Sequence, residues 1–351
     1  MMKITEPSLL INKKQVISNI DKMISRAKEF HSDLRPHFKT HQSAEIGELF
    51  RERGINKITV SSVSMAEYFA SKGWDDITIA FPLNLLQLDK INKLAEKIQL
   101  NILVDSKYSI LSLSTYLTHS IGIFIKIDTG YHRSGLSFEN EEIEEIIQQI
   151  EKNDLLIFKG FLSHAGHTYN AKGKNEIETI VENSLVQLKT LKQRYSNSII
   201  SWGDTPSCSI SENLKDFDEL RPGNFVYYDV MQYHLGACKM EDIAVVVACP
   251  IVSVYPEREE MIIYGGAVHL SKEFIAADNN FKLFGYLCKI KDGKWTKPIN
   301  GSWVSSLSQE HGIIKMPKDK IIEFQPGDII GILPIHSCLS ANLLKSNTFI
   351  I

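Results

Sequence analysis

From residue 34 onward, short runs rich in β-branched and aromatic residues alternate with longer stretches whose apolar positions recur every three to four residues. The pairs are LRPHFK with SAEIGELFRER, NKITVSS with SMAEYFASKG, DITIAF with NLLQLDKINKLAEK, LNILVD with SKYSILSLSTYL, GIFIKIDTG with NEEIEEIIQQIEK, and IFKGFLSH with the stretch 174–195; SIISWGD and ELRPGNFVYYD follow. Such runs predict strands and such stretches predict amphipathic helices. Eight strand units within about 200 residues predict an α/β fold, a parallel sheet closed as a (β/α)₈ barrel. An open doubly wound sheet would need fewer strands and a Gly-rich first turn. No G-x-G-x-x-G follows the first strand. From about residue 241 the texture changes to IAVVVACPIVSVYP, EMIIYGGAV, KLFGYLCKI and DIIGILPIHSC, separated by Gly, Pro and Asp turns, which predicts a β-rich second domain. The expected division is a barrel over 8–240 and a β domain over 241–351 that also takes in residues 1–7.

An apolar content of 43% with 23% charged residues in 351 is enough to bury a large core. The 39 basic and 42 acidic residues are interspersed, so no basic face for nucleic acid or an anionic membrane is expected. Five widely spaced cysteines do not form a disulfide framework, which points to the reducing cytoplasm. The N-terminal MMKITEPSLLINKK has only a short apolar run without a small-residue cleavage site. Neither secretion nor membrane insertion is expected.

In a barrel of this kind the chemistry sits at the C-terminal ends of the strands. The polar clusters fall there: Lys39, His41, Ser62, Asp105, Asp128 to Arg133, His164 to Tyr169, Gly203 to Ser207, and Arg221 to Asp229. Strand alternation puts His37, Lys39 and His41 on one face, so the Lys39 amine would point into the barrel mouth, where desolvation and nearby cations favour a nucleophile; a solvated lysine at the rim is the plain alternative. GDTPSCS at 203–209 offers Gly203, the hydroxyls of Thr205 and Ser207, and free amides after strand seven, where barrel phosphate sites are often built. The next loop brings Arg221, the backbone of Gly223 and Asn224, and Tyr227 toward the same end. Arg133 lies just beyond strand five and could meet an anionic cofactor oxygen, or make a surface ion pair. His164, His167 and Tyr169 are a dense titratable set beyond strand six, suited to acid or base work. In the β domain, His336 and Cys338 are two residues apart and, in an extended segment, face one side; imidazole with thiolate points to zinc rather than magnesium or manganese. Glu310 and His311 are candidates for outer contacts of that metal.

Taken in chain order, RPHFKTH, DTGYHRSG, SHAGHTY, GDTPS, RPGNFVYYD, SQEHG and a late PIHSC resemble the D-serine dehydratase and D-threonine aldolase family of fold-type III pyridoxal-phosphate enzymes, relatives of alanine racemase. The resemblance runs from about residue 8 to the C-terminus. It implies an N-terminal barrel that holds the cofactor, a C-terminal β domain and a homodimer acting on a small-molecule D-amino acid. It implies further that Lys39 holds pyridoxal 5'-phosphate as a Schiff base, that Arg133 faces the phenolic oxygen, that the 203–207 and 223–224 loops with Tyr227 hold the phosphate, and that Tyr169 lies near the pyridine ring. The aldolases of the family resemble His-x-Asp with Mn²⁺ or Mg²⁺ at the metal pair, whereas the dehydratases resemble the His-Ser-Cys found here, with Zn²⁺. The resemblance therefore favours a D-serine dehydratase over a D-threonine aldolase, in which His164 or His167 would act as base. A racemase would need a second base that no residue here can be assigned to, and non-catalytic cofactor-binding relatives usually lack a second β domain. One departure stands out: Asp204 occupies a position where the family more often has a small residue, and its carboxylate would repel a phosphate unless turned away.

Overall fold

The computed structural model describes residues 3–277, 281–291 and 293–351. All eight expected barrel strands form: β1 (Asp33–Leu34), β2 (Lys57–Val60), β3 (Asp76–Pro82), β4 (Gln99–Val104), β5 (Ile121–Lys126), β6 (Leu156–Ser163), β7 (Ile199–Trp202) and β8 (Glu219–Leu220). They pair in parallel in the order β1-β8-β7-β6-β5-β4-β3-β2. The ring closes through a parallel bridge between His37 and Thr59, where Phe38 N donates to Thr59 O and Thr59 N to Pro36 O, each at 2.9 Å. Helices follow the strands as the periodicity predicts, at Ala44–Arg51, Val63–Ala70, Leu88–Ala95, Lys107–Ser114, Glu142–Glu151 and Lys174–Arg194. Ser43, Ser62 and Ser106 cap three of them with side-chain oxygens that accept the third helical amide. Leu103, Phe124 and Leu162, one each from β4, β5 and β6, pack together inside the barrel.

A bulge sets how β6 presents its end. The pairing of β5 with β6 slips between Ile123 and Phe124, so that Phe124 faces Gly160 rather than Lys159. Gly160 has φ +140, and a Cβ there would lie 2.1 Å from Ile199 O. Gly160→Ala should therefore lower stability by about 2–4 kcal/mol through backbone strain and overpacking. Urea unfolding checks this, and an unchanged midpoint would mean that the bulge accepts a side chain.

The chain divides into two compact units, 21–223 and 1–20 with 224–351. The second contains a sheet ordered Glu260–Tyr264, His311–Lys315, Trp303–Leu307, Gly285–Lys291, Ile329–Pro334, Val245–Tyr255, Ser8–Ile11 and Thr348–Ile350. Glu260–Tyr264 also pairs with Val245–Tyr255, so the sheet curls back on itself. This division differs from the sequence boundaries at both ends. Ser8–Ile11 pairs antiparallel with Val245–Ala248 and parallel with Thr348–Ile350, which ties residues 8–11 to the antiparallel sheet. No described helix is long and apolar enough to cross a membrane.

Candidate active site

The segment after β1 does not continue as a strand. His37 makes the closing bridge and residues 38–41 form a turn, which overrides the alternation expected for His37, Lys39 and His41. His41 instead joins an aromatic cluster, 4.4 Å from the Phe38 ring and stacked on Phe50 at 5.9 Å. Burial there pushes its pKa down to about 3, so it is a neutral core residue rather than a partner of the amine. Lys39 turns the other way. Its backbone N is 3.4 Å from His37 Nδ1, and its charge depresses the pKa of both His37 and His164, in each case after the larger effect of burial.

His164, at the end of β6, has Nδ1 2.5 Å from Gly203 O. A carbonyl can only accept, so Nδ1 carries the proton and Nε2 is left as an acceptor on a neutral ring. Arg221 is fully buried and crosses between strands: its Nε donates to Ser201 Oγ (2.7 Å) and its Nη2 to Ser163 O (2.5 Å). Burial lowers its pKa to about 10, against the attraction of Glu219. Ser201 Oγ also donates to Glu219 (2.6 Å), which accepts from Arg35 Nε (2.6 Å), and Arg35 reaches Asp76 (2.6 Å). A hydrogen-bonded chain thus runs along the barrel from Asp76 to Arg221.

Sequence reasoning missed Lys126. It follows Phe124 by two residues on β5, so it shares the inward face, and it is only 5% exposed. Burial, then the charges of Arg221 and Arg133, lower its pKa to about 7, opposed by Asp128 and Asp105. A single lysine within the otherwise apolar GIFIKI was the available signal. The loop beyond it folds back on β5 through the Ile127–Leu136 bridge, and Gly135 (φ +106) permits the close approach, since a Cβ there would meet Lys126 Cγ at 2.9 Å. Asp128 Oδ1 accepts from Gly130 N and His132 N at 3.0 Å and shapes the turn. Arg133 is exposed, with its guanidinium 5.1 Å from the Tyr131 ring centroid, and the His167 ring stacks on the same tyrosine at 6.0 Å. His167 is half-buried with its Nδ1 among the buried atoms lacking a hydrogen-bond partner, and Tyr169 lies in the same short helix, Gly166–Asn170.

The turn after β7 starts the helix Thr205–Ile210, which places Thr205 at its first position. Asp204 is its cap: the buried carboxylate accepts from Ser207 N (2.8 Å), Ser207 Oγ (2.7 Å) and Thr168 Oγ1 (2.8 Å). The side chain is therefore turned into the protein, which removes the expected conflict with a phosphate. A Cβ at Gly203 would meet the Arg221 backbone at 2.7 Å, and one at Gly223 would meet His37 O at 2.8 Å. Both glycines are required by close backbone packing. The charges of Lys39, Arg133 and Lys126 all act on His164, and those of Arg221 and Arg133 on Lys126, so cationic groups cluster at this end of the barrel, with Asp105 and Asp128 opposing them.

Asn224 and Tyr227 belong to the other unit, together with His336 and Cys338. Asn224 Nδ2 donates to Asp229 Oδ2 (2.6 Å) and Ser337 Oγ (3.1 Å) and lies 3.5 Å from Cys338 Sγ. Its side-chain nitrogen is thus committed to Asp229 and the 337–338 segment. Tyr227 is buried, and burial with the nearby Cys338 pushes its phenol pKa up. His336 and Cys338 do converge, but not by strand alternation. The strand ends at Pro334; His336 is the cap residue of the helix Ser337–Leu343, and Cys338 lies in its first turn. Ser337 between them turns away to Asp229, with its N 2.9 Å from Oδ2. Glu273, which no sequence pattern flagged, accepts from His336 Nδ1 at 2.6 Å. Burial alone would lower the His336 pKa, but Cys338, Glu273 and Asp229 together raise it to about 11. Glu310 does not join this pair; its Oε2 is 3.7 Å from His269 Nε2. No group of three or more described His, Cys, Asp or Glu side chains is placed to hold a metal, so the donors this unit brings together are one imidazole and one thiol, a set that suits zinc.

An eight-stranded parallel barrel with a cationic mouth, followed by an antiparallel domain, defines an alanine racemase-like enzyme. The family model for the alanine racemase N-terminal domain matches residues 11–230, and that for the putative serine dehydratase domain matches 244–350. The chain belongs to this family, and with it to the pyridoxal-phosphate-dependent lyases. It is 32% identical to a D-serine dehydratase of Dictyostelium discoideum over 97% of this chain and 91% of that one. It is 24% identical to a D-threo-3-hydroxyaspartate dehydratase of Delftia sp. strain HT23, covering 96% and 92%. Among solved structures, an alanine racemase-like protein from Idiomarina loihiensis superimposes with a TM-score of 0.88 at 26% identity, covering 97% of this chain and 92% of that one.

Proposed function

We propose that the protein is a zinc-dependent dehydratase of D-β-hydroxy amino acids that converts D-serine to pyruvate and ammonia. The observation that carries this reading is the convergence of His336 with Cys338, a nitrogen and sulfur donor pair held from both sides. The full-length similarity to a protein named D-serine dehydratase supports it. In this reading Lys39 holds pyridoxal 5'-phosphate covalently, Gly203, Thr205, Gly223, Asn224 and Tyr227 hold its phosphate, and Arg133, Tyr169 and Arg221 flank its ring. The cofactor supplies an electron sink for charge at Cα, and the zinc on His336 and Cys338 supplies a Lewis acid for the departing hydroxyl.

The rest is the work of the chain's own groups. The Lys39 amine takes the Cα proton, and the adjacent cations favour the carboxylate-bearing substrate. Neutral His164, its tautomer fixed by Gly203 O, offers Nε2 as an acceptor, and His167 stands beside it on the same loop. Water is lost across Cα and Cβ, and hydrolysis of the carbon–nitrogen bond completes the reaction. The same reading makes the enzyme a cytoplasmic homodimer that acts on a small molecule without nucleic acid or membrane partners.

The test is a keto-acid assay with the purified holoenzyme. Pyruvate should form from D-serine and not L-serine, cease with a chelator and return with zinc. Cys338→Asp should lose dehydration and shift its metal preference from zinc toward manganese. Glycine and an aldehyde from D-threonine, without keto acid, would place the protein with the aldolases instead.

A further inference from the structure

We propose that Glu273 is the positioning residue of the metal pair, holding His336 in the single tautomer that presents a ring nitrogen to zinc and thereby setting the protein's zinc affinity. The proposal rests on the reading of His336 and Cys338 as zinc ligands. Its basis is the 2.6 Å contact between Glu273 Oε2 and His336 Nδ1. A neutral imidazole carries its proton on one nitrogen and offers the other to a metal, and a carboxylate can only accept. With Glu273 on Nδ1, the proton is fixed there and Nε2 becomes the ligand atom. A carboxylate behind a ligating imidazole also fixes ring orientation and increases its basicity.

The backbone is arranged to deliver this contact. Glu273 follows the helix Ala267–Leu270, whose C-cap, Ser271, has φ 70 and ψ 175, a conformation rare for a residue with a Cβ. Ser271 is buried, and its Oγ accepts from Glu273 N at 3.3 Å. A turn of this kind persists only where its surroundings fix it. Cys338 is oriented from a different side, by Asn224 Nδ2 and by the hold of Asp229 on Ser337. The two ligands thus have separate supports, and removing Glu273 loosens the imidazole while leaving the thiol in place.

The experiment strips zinc from the holoenzyme and titrates it back against a chromophoric chelator, for wild type, Glu273→Ala, Glu273→Gln and His336→Ala. Glu273→Ala should bind zinc about 10–100-fold more weakly, and Glu273→Gln, which keeps an oxygen acceptor, should fall between it and wild type. Cofactor content, and melting temperature with chelator present, should match wild type in both Glu273 variants. Zinc affinity of Glu273→Ala within about twofold of wild type, alongside a lost site in His336→Ala, overturns the role of Glu273 alone; such a change lies well below the expected range. Weakening matched by a lower melting temperature in chelator, with no recovery in Glu273→Gln, also overturns it. If Glu273→Ala does not fold, Glu273→Gln carries the test, and an affinity equal to wild type sinks the proposal. Wild-type zinc binding that survives in His336→Ala removes the metal reading itself.

Discussion

Lys39→Ala should abolish turnover and the covalent retention of the cofactor together, while the barrel stays folded. Lys39 sits in a turn at the mouth, half-buried, close enough to two imidazoles for its charge to depress the proton affinity of each. In the proposed reading its amine has two tasks, holding the cofactor and moving the Cα proton. The proton transfer alone is worth about 10²–10⁴ in rate, and loss of the covalent link adds to that. Lys39→Arg sharpens the test, because it keeps the positive charge but a guanidinium cannot give up its proton. If the role were only electrostatic, Lys39→Arg would retain activity; both variants are expected to be equally inactive. Borohydride reduction followed by peptide mass analysis should find the cofactor on the peptide containing Lys39 in wild type and on no peptide in either variant. A labelled peptide elsewhere would move the attachment to another lysine.

The barrel was legible because each βα unit repeats the same change of period, and because polar residues end every strand but β3. Local alternation failed where the chain leaves regular structure. At His41 a turn sends the ring into the Phe38 cluster, and at His336 to Cys338 a helix start, not a strand, brings the donors together. Asp204 looked hostile to a phosphate because a sequence does not show which way a side chain turns; as a helix cap it faces Ser207 and Thr168. A barrel boundary at residue 8 puts Ser8–Ile11 in the barrel domain, yet its strand partners are at 245–248 and 348–350. Glu273 was invisible for the same reason. Its partner is 63 residues away, and a single acidic residue in a loop carries no pattern.

Lys126→Met should stabilise the cofactor-free protein strongly at low pH and little at high pH. Burial, reinforced by Arg221 and Arg133, brings the Lys126 pKa from 10.5 to about 7. Below pH 7 both the folded and unfolded states carry the proton, so the full cost of a buried ammonium is present. Between pH 7 and 10.5 the unfolded chain binds more protons than the folded one, so wild-type stability rises with pH across that window. Above it both states are neutral and the cost is gone. A shift of this size corresponds to a cost on the order of 5 kcal/mol. The methionine variant lacks the titration, so its advantage in urea unfolding should be largest and level below about pH 7 and shrink from there toward about pH 10. A difference between the two proteins that stays flat over this range would show that Lys126 does not titrate as its surroundings dictate. The cost falls on the empty barrel, and an anionic cofactor at the same mouth would favour the charged amine, so wild-type holoenzyme should show a smaller pH dependence than the cofactor-free protein.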